Sequence, residues 1–288
     1  MFPIQWFPGH MKKTLQEIKI NLRFIDIVLI ILDSRIPISS MNFEFLKILN
    51  NKPFLVLFNK ISLTDLDKNN IFVDFFNKKK IDTLLIDAKN KININKIFVK
   101  IKNILYKKNN LQHKYLRKRT RIMIIGIPNV GKSTLINCLA KKKSTLTSNK
   151  PGITKKLQWV NSLNNIQLLD TPGVLYPKIN SYQISCSLSI CGCIKTKLIP
   201  KEELIDYTLN YLKKYYLEKL KILFKFNNDE IQQKNLLEIL INKRYKKQIL
   251  MSENYDNFIN KNNIITKIFS EITSKKIQKI NFDLDLIS

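Results

Sequence analysis

One segment of the chain has residue types and spacing able to hold a triphosphate: Gly126-Ile127-Pro128-Asn129-Val130-Gly131-Lys132-Ser133. It fits G-x-x-x-x-G-K-[ST]. In that pattern glycines let backbone N–H groups curl around phosphate oxygens, the lysine brings a cation to the β- and γ-phosphates, and the serine offers a hydroxyl to Mg²⁺. Asn129, Val130, Gly131, Lys132, Ser133 and the following Thr134 are therefore the expected phosphate cradle. The apolar run Ile122-Met123-Ile124-Ile125 precedes the loop and reads as a buried strand. Thr134 to Ala140 has helical character, so a helix N-terminus, with its partial positive charge, would also face the phosphates.

A second segment matches independently. Asp170-Thr171-Pro172-Gly173 closes the run Ile166-Gln167-Leu168-Leu169, where a nucleotidase needs a carboxylate for Mg²⁺ (Asp170) and a glycine N–H for the γ-phosphate (Gly173). Between the two lies Lys150-Pro151-Gly152-Ile153-Thr154, whose Thr154 is placed to reach Mg²⁺ and sense the γ-phosphate. Upstream of the phosphate loop, Asn59-Lys60-Ile61-Ser62 resembles the guanine-reading N-K-x-D of GTPases, and Asp87-Ala88-Lys89 resembles their S-A-K. Asn59, Lys60, Ser62, Asp87 and Ala88 are the candidate base-reading residues. Those motifs ordinarily follow the phosphate loop, and here they precede it.

That order, with the motifs themselves, resembles the circularly permuted GTPases that act in assembly of the large ribosomal subunit. The likeness runs from residue 4 to about residue 178, through Gln5-Trp6-Phe7-Pro8-Gly9-His10-Met11, Asp33-Ser34-Arg35-Ile36-Pro37, Gly126 to Ser133, Pro151 to Thr154 and Asp170 to Gly173. It is looser beyond, at Lys243-Arg244 and Leu250-Met251-Ser252. The resemblance implies a GTPase stimulated by potassium, with GTP/GDP and Mg²⁺ as ligands. It also implies that the protein binds the rRNA and ribosomal proteins of a late large-subunit precursor and leaves on hydrolysis. Ras-like enzymes place a water-orienting Gln directly after D-x-x-G, whereas Val174 stands here. The family implicates an N-terminal histidine instead, which transfers to His10 as the catalytic candidate; the loop at Pro8-Gly9 would present it. Asn129 is the corresponding potassium-site candidate.

These residues need a scaffold that brings strand ends together. Apolar, β-rich runs occur at 25–32, 54–58, 83–86, 122–125 and 166–169, with helix-like stretches separating the first four. Short, nearly continuous apolar strands alternating with helices indicate an α/β domain: a P-loop parallel sheet with helices on both faces and ligand loops at the strands' carboxyl ends. Residues 106–121 read as an exposed connection into the phosphate-loop strand. After about Tyr182 helical patterning takes over, so the expected division is a GTPase domain at 1–180 and a small all-helical RNA-binding domain at 181–288. Pro200-Lys201-Glu202-Glu203 is a helix start, and further helices are expected near 229–243 and within 255–279. Tyr207, Tyr211, Tyr215 and Tyr216 stand beside several lysines, an arrangement that suits stacking on RNA; a stripe at helical spacing equally suits a core.

The net charge of +28 over 288 residues favours a polyanionic partner, RNA and not DNA being expected, although a Lys-, Asn- and Ile-rich composition accounts for part of it. Four cysteines with no paired spacing, and histidines only at 10 and 113, argue against zinc and fit a reducing cytoplasm. No secretory leader or membrane span is read, and a monomer is expected. One departure affects specificity. Ser62 stands where an aspartate ordinarily accepts two hydrogen bonds from guanine, and a hydroxyl cannot reproduce that contact alone. Asp65 or Asp67 is the candidate substitute from the following loop. Two alternative functions follow from this departure and from the absent Gln: an RNA scaffold with little hydrolysis, or an NTPase of relaxed specificity.

Overall fold

The computed structural model describes residues 9–109, 119–140, 157–162, 165–250, 256–274 and 279–287, with residues 10, 108, 109, 246–250 and 256–260 described by backbone alone. Two compact units emerge, one of residues 1–188 with 279–288 and one of residues 189–278. The expected boundary at 180 thus falls a few residues early, and the end of the chain belongs to the first unit.

The first unit runs α1 (Gly9–Asn21), β1 (Ile27–Asp33), α2 (Glu44–Leu49), β2 (Phe54–Asn59), α3 (Leu66–Lys78), β3 (Thr83–Leu85), α4 (Ile94–Asn109), β4 (Thr120–Ile125), α5 (Lys132–Leu139), β5 (Gln158–Asn161), β6 (Ile166–Asp170) and α6 (Tyr182–Ile190). The six strands form one sheet in the order β3-β2-β1-β4-β6-β5, with β5 antiparallel and the other five parallel. All seven residues of β1 are buried, which requires both faces of the sheet to be covered and explains why its sequence shows no polar alternation. The five apolar runs read from the sequence all become strands. The sixth, β5, is a four-residue edge strand with one buried residue. Register places Asp33 opposite Asn59 and Ile30 opposite Ile125, so the candidate site loops leave the same edge of the sheet.

Residues 279–287 return to this unit as a strap. Lys279 N–H donates to Leu63 O (2.9 Å) and Phe282 N–H to Arg35 O (2.7 Å). Buried Asn281 accepts from Asp65 N–H (3.1 Å) and donates to Ser34 O (3.2 Å) and Asn69 Oδ1 (2.9 Å). The Asp283 carboxyl, fully buried, accepts from Ser39 N–H (2.7 Å) and Ser39 Oγ (2.5 Å), and Ser187 Oγ reaches Phe282 O (3.2 Å). Burial, aided by the nearby charge of Asp285 and opposed by the Ser39 bonds, pushes the Asp283 carboxyl up to about 7. Because this folded value lies above the unfolded one, the stability the group contributes is complete below about pH 4 and is lost as pH rises through about 7, at about 1.4 kcal/mol per pH unit. Asp283→Asn keeps the shape without the titration. Its stability should therefore exceed that of the wild type at pH 8, with the advantage shrinking toward pH 5 in urea-midpoint measurements; parallel pH profiles for the two proteins would contradict a buried titrating strap.

The second unit contains α7 (Lys201–Tyr215), α8 (Leu217–Phe224), α9 (Asn228–Gln232), α10 (Leu236–Leu250) and α11 (Asp256–Thr273). Helix α7 starts after Pro200 with Glu202 and Glu203 in its first turn and Lys213 and Lys214 in its last, matching the helix dipole at both ends. It buries Leu204, Ile205, Thr208, Leu209 and Leu212, and packs on α10 and α11. On α11 the buried Ile264, Ile265, Ile268, Phe269 and Ile272 follow helical period. The stretch expected as one helix at 229–243 divides into α9, closed by an Asn227–Glu230 capping box, and α10. Tyr211 and Tyr216 are buried, and the Tyr207–Tyr211–Tyr215 rings follow one another at 5.9 and 4.7 Å, so the stripe serves mainly as packing. Lys243 holds Glu230 (2.7 Å) and Lys225 O, and Arg244 holds Glu271 (2.9 Å) and Leu223 O. Among the described residues no helix is long and apolar enough to cross a membrane.

Candidate active site

The phosphate loop leaves β4 and enters α5 as the sequence pattern requires. Its turn needs left-handed backbone at Asn129 (φ 62°) and Gly131 (φ 99°). Asparagine tolerates that region and glycine adopts it freely. Glycine is doubly required at 131, where a Cβ would lie 2.3 Å from Asn59 Nδ2. Lys132 is buried, its Nζ donating to Gly126 O (3.1 Å) and Ile127 O (2.9 Å), so the ammonium is folded back over the loop. Ser133 and Thr134 are half-buried in the first turn of α5.

The loop after β6 is latched onto this one. Thr171 Oγ1 donates to Ile124 O (2.7 Å) and Val174 N–H to Gly126 O (3.1 Å). Gly173 lies so near that a Cβ would come within 2.7 Å of Pro128 N. Asp170, at the end of β6, is buried. Val174 is also wholly buried, so the side chain at the position where Ras-like enzymes keep a Gln is turned into the core. Two positions on, Tyr176 donates its hydroxyl to Ser39 O (3.0 Å), on the same residue whose N–H and hydroxyl donate to Asp283 of the strap.

Asn59 and Lys60 meet the phosphate loop directly, despite preceding it by some seventy residues. Asn59, buried, donates through Nδ2 to Val130 O (2.8 Å) and accepts at Oδ1 from Ala88 N–H (2.9 Å), joining three loops with one amide. Lys60 Nζ donates to Asn129 O (2.6 Å) and to Asp33 Oδ2 (2.8 Å). Asp33 also accepts from Arg35, at N–H (3.1 Å), Nε (3.0 Å) and Nη2 (2.7 Å). Complete burial works to raise the Asp33 carboxyl, but the charges and hydrogen bonds of Arg35 and Lys60 outweigh it and hold the group well below the ordinary carboxylate range. Asp33 and Arg35 were not among the expected site residues. The available signal was an acid closing an otherwise apolar strand beside the other strand-end motifs.

Of the two expected substitutes for a carboxylate at 62, one is engaged as a helix cap and the other is exposed. Asp65 caps α3, accepting from Asp67 N–H (3.3 Å), and lies 3.9 Å from Lys68; Asp67 is exposed in the first turn of that helix. Asp87 is the acid beside Ser62. Its Oδ2 accepts from Ser62 N–H (3.3 Å) and from Ser62 Oγ, and its Oδ1 from Asn90 N–H (2.8 Å). Burial pushes the Asp87 carboxyl up, yet the bonds from Ser62 and Asn90 prevail and lower it below its ordinary value. From the other side, α5 presents Cys138 Sγ to Ala88 O at 3.2 Å.

His10 falls in the first turn of α1 rather than in a loop, and its side chain lies outside the described residues. Thr154 and the segment 150–153 also lie outside them. The remaining expected residues, at 59, 60, 62, 87, 88, 129–134, 170 and 173, gather at one edge of the sheet through the loops just described.

Comparison with known proteins agrees with this geometry. Residues 121–254 match the family described as 50S ribosome-binding GTPase. The chain is 41% identical over 220 residues to ribosome biogenesis GTPase A of Bacillus licheniformis, covering 76% of this chain and 78% of that one. To the protein of the same name from Bacillus pumilus it is 36% identical over 282 residues, 97% of this chain and 98% of the relative. Among solved structures it is similar to GDP-bound YlqF (TM-score 0.59, 21% identity, 92% and 97% covered) and to GNP-bound YlqF of T. maritima (TM-score 0.57, 22% identity, 94% and 97% covered). At those identities the likeness is one of fold, and it matches the permuted order of strands and motifs. The chain belongs to the ribosome biogenesis GTPase A family of circularly permuted GTPases, and it is a GTP hydrolase.

Proposed function

We propose that this GTPase acts in the cytoplasm, as a monomer, in late assembly of the large ribosomal subunit. It would bind precursor rRNA in its GTP state and leave on hydrolysis. The observation that carries the reading is the Asn59 amide, which ties the base-reading loops to the phosphate loop and so makes one nucleotide pocket of both halves of the first unit. Relatives covering nearly the whole chain are named for ribosome biogenesis, and the +28 charge suits a phosphate-rich partner whose affinity falls steeply with salt. With the tyrosine stripe committed to packing, charge rather than stacking is the main source of RNA affinity in this proposal.

Within the pocket, Asp170 closes β6 and Ser133 stands in the first turn of α5 after the adjacent parallel strand β4; they offer a carboxylate and a hydroxyl, a hard-oxygen set that suits Mg²⁺, with Thr154 as the candidate third donor. The ion would neutralise charge on the β- and γ-phosphates. Lys132 shares that work, and the Gly173 N–H marks the γ-phosphate end. The Asn129 amide is the candidate potassium ligand. Since Val174 is buried, orientation of the attacking water falls to another residue, for which His10 is the candidate.

The test is steady-state hydrolysis of GTP and ATP, in potassium and in sodium, with and without large ribosomal subunits. GTP should be preferred, potassium should accelerate turnover, and subunits should stimulate it about tenfold or more. In the same assay His10→Ala should bind GDP normally while losing roughly 10²-fold in turnover, the range of a removed general acid or base. Hydrolysis indifferent to subunits would instead favour a nucleotide-holding scaffold.

A further inference from the structure

Guanine presents two adjacent donors, N1–H and the 2-amino group, whereas adenine presents an acceptor at N1, so a guanine site needs a group that only accepts. A free serine hydroxyl both donates and accepts, and by itself it discriminates little. We propose that Ser62 and Asp87 together replace the single carboxylate usual at position 62: Ser62 Oγ is the acceptor that faces the base, and Asp87 behind it supplies the negative charge. This rests on the reading of the site as a guanine-nucleotide pocket.

The geometry assigns the two roles. Ser62 is exposed while Asp87 is only 2% exposed, so the hydroxyl is the atom a ligand meets first. Its hydrogen is directed at Asp87 Oδ2, which also takes the Ser62 N–H at 3.3 Å. With that hydrogen engaged, Ser62 Oγ offers lone pairs alone and is made electron-rich by the carboxylate it bonds. Asn90 Nδ2 donates to the same oxygen at 3.0 Å and takes one of its lone pairs, which leaves one to accept from the base, and Asn90 N–H steadies Asp87 Oδ1 at 2.8 Å. The next residue, Ala88, gives its N–H to the Asn59 amide that reaches Val130 O, so the pair sits on the shelf continuous with the phosphate loop. An acid absent after β2 is thus matched by an acid after β3, in hydrogen-bond contact with the serine that stands in its place. Asp87 acts here as a positioning and charge-supplying residue.

Binding of GDP, ADP and xanthosine diphosphate to four full-length proteins tests the assignment by calorimetry. The wild type should prefer GDP to both others. Asp87→Asn removes the charge and lets an amide N–H donate to Ser62, freeing the hydroxyl hydrogen to face the base. GDP affinity should fall roughly 10- to 100-fold while affinity for the xanthine nucleotide, which carries an acceptor at C2, rises. Ser62→Ala should erode the preference for GDP over ADP about tenfold. The exchange Ser62→Asp with Asp87→Ser should restore GDP binding lost in Asp87→Asn. Were Asp87 merely a strut for the 87–90 loop, GDP and the xanthine nucleotide would weaken together, and an unchanged ratio between them overturns the proposal. A wild type that does not favour GDP over ADP overturns the guanine reading itself, an outcome visible without any variant.

Discussion

Lys132→Ala should lower affinity for GDP and GTP by about 100-fold. The ammonium is buried over the phosphate loop with the Gly126 and Ile127 carbonyls as partners, so it is already at the mouth of the cradle before any phosphate arrives. A charge-assisted hydrogen bond contributes about 1.5 to 3 kcal/mol, and a lysine that serves two phosphates reaches or exceeds the upper end of that range. The backbone N–H groups of the loop remain in the variant, so weak binding persists rather than vanishing. Fluorescent GDP titration measures the loss, with the unliganded melting temperature as the control for folding. Wild-type affinity in this variant would remove the phosphate-loop assignment.

Asp33→Ala should destabilise the first unit by about 3 kcal/mol, because it strands Arg35 and Lys60 side by side with no carboxylate between them. Both cations keep some access to water, with side chains 19% and 24% exposed, which places the cost at the low end for breaking a buried pair. The loss extends to binding, since Lys60 also bonds Asn129 O and would drift from the phosphate loop. The sign of the pH dependence is fixed by a folded value held below the unfolded one. Asp33 contributes its full stability above about pH 4 and loses it only as pH falls through the depressed folded value. The gap between wild type and Asp33→Ala in urea midpoint should therefore be flat from pH 5 to 8 and close only in strong acid. A gap that shrinks already at pH 6 would contradict the ion-pair assignment.

What the residues announced and what they concealed divide along physical lines. The phosphate loop was legible because glycine, lysine and serine have few other reasons to recur at that spacing between a strand and a helix. The five parallel strands were legible because burial on both faces leaves runs such as Ile27 to Leu32 without a polar residue. β5 escaped notice since an edge strand of four residues with a single buried side chain carries almost no pattern. The Ser62–Asp87 contact could not be read from sequence: the partners lie 25 residues apart, and only the parallel register of β2 and β3 brings their following loops together. The strap was hidden for a different reason. Asn281 and Asp283 are wholly buried, yet hydropathy reads them as solvated because it does not see the backbone and hydroxyl groups that satisfy them.

The return of residues 279–287 makes the helical unit an insertion in the chain of the GTPase unit rather than an appendage at its end. Synthesis then imposes a sequence of events. All of residues 189–278 must leave the translating ribosome before the strap can reach the Ser34–Ser40 loop, so a growing chain can finish its helices while the nucleotide shelf beside Asp33 still lacks its brace. The bonds from Asn281 and Phe282 to the carbonyls of Ser34 and Arg35 therefore close only once residues 279–283 have emerged, after the helices they bracket.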